Sequence, residues 1–227
     1  MDATVQQFLS DNFVPVWIED KKDDMMAAKL GLSQEGYPNI AMYDGAGEYL
    51  GRVIGFGGRD PWFKDVQETW KVSGTLATAK ASAEKDPTAW AGYSTLVAGI
   101  AGREGDALTA LDRVPEAKRD AAFASARASL VAKAAWVDAE KALRATTKDA
   151  KGVEDMKAAA PKGLAIVEAW LKEHAGKNAK LDPAPLAKKG ALLLLLDRKA
   201  EAIEIATKIL HDWPESPQAQ SILRGMR

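Results

Sequence analysis

Residues 36–47 read GYPNIAMYDGAG, and residues 48–55 continue as EYLGRVIG. The apolar run Asn39–Tyr43 ends in Asp-Gly-Ala-Gly, whose glycines supply the backbone freedom that a tight reversal needs. The following run, Tyr49–Ile54, alternates with the period of a strand. Together they predict a β-hairpin. Upstream, Val5, Phe8 and Leu9 predict a short helix ending near Asn12. FVPVWIE (13–19) is rich in β-branched and aromatic residues and predicts a buried strand, which Pro15 draws toward a sheet edge. KKDDMMAAKLGL (21–32) predicts a helix with Met25, Met26, Leu30 and Leu32 inward, stopping at Gly31. Downstream, Asp60 can cap a helix and Pro61 suits its first turn. That helix, 60–72, carries Trp62, Phe63, Val66 and Trp70 on one side. The predicted order over 1–72 is helix, strand, helix, strand, strand, helix, an α/β unit.

From residue 73 to 227 strand grammar is absent, alanine dominates and prolines punctuate. Helices are predicted near 75–84, 87–101, 105–113, 115–147, 161–175, 184–196, 198–211 and 215–225, with Pro115 and Pro161 as helix starts. Short turns would join them into antiparallel hairpins, giving an all-α second domain over 73–227. The stretch LAKKGALLLLLDRKAEAIEIATKILHDWPESPQAQSILRGM (186–226) resembles a tetratricopeptide-type repeat: a helix, a polar turn at Asp197-Arg198-Lys199, a second helix, a proline turn and a third helix. Each hairpin in such an array has an apolar face that only a neighbouring hairpin can cover.

The first 72 residues resemble the later two-thirds of a thioredoxin-like domain. DATVQQFLSDNFVPVWIED looks like the segment after that family's redox helix. The step Gly36-Tyr37-Pro38, the hairpin and the closing helix then follow in family order. The resemblance implies that Pro38 is cis, and that Tyr37, Pro38 and Asn39 form an edge able to hold an extended peptide. Asn39 stands where the family commonly has Thr. The family's first strand and its Cys-x-x-Cys helix start are missing. In the family that strand lies between the counterparts of 13–19 and 39–43, so both would face an unfilled lane. Each unpaired buried backbone group costs about 1–3 kcal/mol. The sheet closes with altered pairing, another chain supplies the strand, or Met1 is an internal start in a longer protein.

The chain has no cysteine, which excludes disulfides, thiolate metal sites and cysteine nucleophiles within it. Basic and acidic residues nearly cancel, at a net charge of −1, so no general pull toward nucleic acid or anionic membrane is expected. MDATVQQFLSDN lacks the apolar core of a signal peptide, and the run Ala191–Leu196 is far too short to span a bilayer. The chain as given therefore reads as soluble and cytoplasmic, or periplasmic or secreted if a segment precedes Met1. His174 and His211 each stand near a helix end, without a carboxylate partner at ligand spacing, so no metal is expected. GFGGRDP (55–61) lacks the Lys-Ser/Thr of a phosphate loop and reads as a turn into a helix cap. No Gly-x-Ser-x-Gly elbow occurs, no catalytic residue is assigned and no cofactor is expected. Trp62 and Trp70 read as core, as do Trp90, Trp136, Trp170 and Trp213 between hairpins; the leucines 192–196 are apolar all round and read as buried between repeats.

Two functional expectations follow. The first is a thioredoxin-like, thiol-free protein of the bacterial type that binds a protein or peptide partner or serves as a scaffold. The alternative is an N-terminally truncated thiol-disulfide oxidoreductase of cell redox homeostasis, whose Cys-x-x-Cys lies upstream of Met1.

Overall fold

The computed structural model describes residues 3–16, 39–100, 102–174 and 182–225. The chain divides into two compact units with the boundary after Asp86. The boundary drawn from sequence after residue 72 falls inside a continuous helix. The helix expected at 21–32 and residues 17–19 of the expected first strand lie outside the described residues.

The first unit opens with α1 (Ala3–Asn12), followed by the hairpin of β1 (Asn39–Tyr43) and β2 (Tyr49–Ile54), and then α2 (Arg59–Lys85). The described part of the FVPVWIE run, 13–16, carries no regular structure, and Val14 and Val16 are exposed. The hairpin forms as the sequence dictates. Asp44 Oδ1 accepts the backbone N–H groups of Ala46 and Glu48 at 2.9 and 2.7 Å, and Gly47 takes φ +80° to complete the reversal. Met42 pairs with Gly51 but Tyr43 with Tyr49, so Leu50 is an extra residue in β2. This bulge resets the alternation, and Leu50 and Val53, three positions apart, are both buried with Met42.

Helix α2 lies against β2. A side chain at Gly51 would place its Cβ 2.9 Å from Thr69 Cγ2, and the φ there is +140°. The helices expected separately at 60–72 and 75–84 are one helix of 27 residues. Ser73-Gly74 weakens it without breaking it, since an interior glycine costs only about 1 kcal/mol. Helix α1 and the segment after it meet α2 through rings: Phe8 stands edge-on to Phe63 at 5.3 Å, and Phe13 lies 4.9 Å from Trp70.

The second unit is helical: α3 (Trp90–Ala98), α4 (Glu104–Leu111), α5 (Ala121–Thr146), α6 (Val153–His174), α7 (Ala184–Leu195), α8 (Lys199–Asp212) and α9 (Pro217–Gly225). Short 3-10 turns at Pro87–Ala89 and Glu116–Lys118 precede α3 and α5. The helix expected from 115 therefore starts later, where the Asp120 carboxylate accepts the Phe123 N–H at 2.8 Å. Pro161 does not start a helix but sits within α6. It is exposed, and its missing N–H interrupts the ladder on the solvent side, where water can serve the freed carbonyl. Helix α7 ends with Asp197 in the left-handed region, φ 57°, while Arg198 N–H donates to Leu193 O at 2.9 Å.

Each helix of this unit packs chiefly on its neighbours in the chain, from α3 on α4 through α8 on α9. The core centres on α6. Leu164, Val167 and Trp170 meet Ala132, Trp136 and Leu143 from α5, and Leu192 and Leu193 from α7. Trp136 and Trp170 meet edge-to-face at 5.2 Å, and Trp170 Nε1 donates to Ala132 O at 3.2 Å. Of the leucine run, 192 and 193 are buried, 195 and 196 half-buried and 194 exposed. Trp62, Trp70 and Trp213 are half-buried rather than fully enclosed.

Gly51→Ala should lower stability by about 1–3 kcal/mol, because the new methyl is both crowded and on an unfavourable backbone. Gly74→Ala, with open space at its Cβ, should raise it by about 0.5–1 kcal/mol. Urea unfolding of both variants checks the pair, and a neutral Gly51→Ala would refute the close strand-helix approach. In the helical unit a Cβ at Gly163 would meet Leu192 Cδ2 at 3.2 Å and Leu143 Cδ2 at 3.3 Å. Gly163→Val should cost about 1–3 kcal/mol, and adding Leu192→Ala should recover part of that loss. Strict additivity in the same unfolding measurement would show that the two sites do not touch.

Candidate functional site

Of the three residues expected to form a peptide-holding edge, Tyr37 and Pro38 lie outside the described residues. Asn39 opens β1, half-buried and paired with Ile54. Among the described residues the sheet has two strands.

The helical unit presents a different candidate, the surface around the α7–α8 turn. The turn, 196–198, is three residues long, so α7 and α8 run antiparallel and in contact. Beside it Leu194 is 55% exposed and Ile203 64% exposed, the two most open large apolar side chains of these two helices. Ion pairs surround the turn. Arg198 grips Glu201 in a bidentate pair, both bonds 2.6 Å, and Lys189 Nζ reaches Glu168 Oε1 of α6 at 2.9 Å. The Arg198 hydrogen bonds hold the Glu201 carboxyl below its ordinary range, with Lys189 adding a smaller pull in the same direction. The Lys189–Glu168 pair ties α7 to α6, while the Arg198–Glu201 pair closes the first turn of α8.

Two further charged clusters stand at the other end of the unit, and neither is evident from sequence spacing. Glu104 is buried at the first turn of α4, and Lys133 of α5 approaches it at 3.8 Å while donating to Ala98 O at 2.7 Å. One lysine thus joins the end of α3 to the start of α4. Arg103, also buried, donates to Asp106 at 2.8 Å. At the end of α4, Arg119 donates to Asp112 O at 2.7 Å and Val114 O at 3.0 Å, satisfying carbonyls that the helix leaves open. Arg127 of α5 holds the Asp112 carboxylate with bonds of 2.8 and 3.2 Å. These contacts fix the α4–α5 connection, and their donors are already engaged.

The two histidines are separated in role. His174 is buried with its ring 5.0 Å from Trp170. His211 is exposed with Nδ1 2.7 Å from Asp212 Oδ1. His211 and then Lys208 hold the Asp212 carboxyl below its usual range. Among the described residues no group of three or more His, Asp or Glu is arranged to hold a metal ion. Nor is any helix among them long and apolar enough to cross a membrane.

No family model, no curated protein and no solved structure matches this chain.

The Asp112 carboxyl is held below its ordinary value by the Arg127 hydrogen bond, with burial opposing more weakly. A lowered folded value means that the pair contributes above the unfolded carboxylate pKa of about 3.9, and that its contribution fades as pH falls through the folded value. For a pair this open to solvent, Asp112→Asn should cost about 0.2–1 kcal/mol at neutral pH. Urea midpoints at several pH values test this: the gap between parent and variant should narrow below about pH 4. A gap independent of pH would remove the ion pair as its cause.

Proposed function

We propose that this protein binds a protein or peptide partner through its helical unit and performs no thiol chemistry with its own residues. The observation that carries the reading is the packing order of α3 to α9, in which each helix rests chiefly on its neighbours in the chain. Packing in chain order is what helical-repeat stacks share, and such stacks use their long lateral surface for recognition. The three-residue α7–α8 turn and the proline turn before α9 support a tetratricopeptide-like reading of 184–225. In this reading, Leu194 and Ile203 are anchors that a partner covers. Exposed apolar side chains framed by charge are the composition of an interface centre with its polar rim.

The first unit is proposed to be thioredoxin-like in descent and a scaffold or docking edge in use. The hairpin at 39–54, with its Asx turn and bulge, and the helix that follows it support this. With no cysteine in the chain, any exchange of thiols would need groups from another molecule.

A photo-crosslinking side chain at position 194 of the full chain, used in extracts of the native source, tests the binding reading. A crosslinked product that saturates, and that excess unlabelled protein competes away, is expected. In the same assay Ile203→Asp should weaken the competitor about tenfold, the effect of about 1.4 kcal/mol lost from one anchor. Labelling that never saturates, or competition unchanged by Ile203→Asp in a protein with the parent's unfolding midpoint, would overturn the proposal.

A further inference from the structure

We draw no further inference here: the strongest candidate, the exposed apolar segment Val14-Pro15-Val16 that follows α1, carries nothing because nothing in the structure shows what covers it.

Discussion

The close contact of α6 with the helices on either side of it is the constraint on which the helical unit depends. Helix α6 is apolar toward both α5 and α7, and its small residues Ala160 and Gly163 let the neighbours approach. Leu192 and Leu143 meet over Gly163, where even one methyl group would crowd them. Val167 and Leu193 are fully enclosed as a result. Two turns further along α6, Trp170 stands edge-on to Trp136, and its N–H finds the Ala132 carbonyl across the same α5–α6 interface. The rest of the stack follows, because each further helix covers an apolar stripe that its predecessor exposes.

Ion pairs play a different part. Most of those described join partly exposed side chains, and such pairs contribute little to stability, about 0–1 kcal/mol each. Their positions matter more than their strength. Arg127 anchors the end of α4 to α5, Arg119 ties the connection between them to the same end, and Lys189 ties α6 to α7. Lys133 with buried Glu104 and Asp106 with buried Arg103 are the exceptions, since a charge taken out of water needs an opposite charge near it to be tolerated. These contacts join neighbouring helices at their rims, outside the apolar core that packs between them.

In the first unit the same logic operates on a sheet. The extra residue Leu50 turns two inward-facing side chains onto one face of β2, and Gly51 beside it lets α2 come within van der Waals reach of the strand. Rings from α1 and its following segment, Phe8 and Phe13, close over α2 at Phe63 and Trp70. Among the described residues of this unit, the contacts are those of the rings between α1, the segment after it and α2, and those of a locally bulged hairpin on α2.

The sequence by itself determined the hairpin and the helical character of the described residues after it. Asp44 and Gly47 act on their own neighbours in the chain, and alanine-rich amphipathic runs favour helix wherever they are placed. It also determined the absence of thiol chemistry within the chain. Tertiary structure decided the rest. The sequence could not show that Ser73-Gly74 leaves α2 whole, because a glycine's modest cost is outweighed only by packing on both sides of it. Nor could it show that Pro161 lies within a helix: the two turns before it are mostly exposed, with only Ala160 buried, and the helix runs through the proline where solvent can serve the freed carbonyl. Among leucines 192–196 the chain offers five equivalent apolar side chains, and only the position of α6 selects 192 and 193 for burial and leaves 194 in water. The candidate surface was illegible for the same reason: exposure belongs to the relation between helices, and local sequence encodes the helix but not the neighbour that covers it.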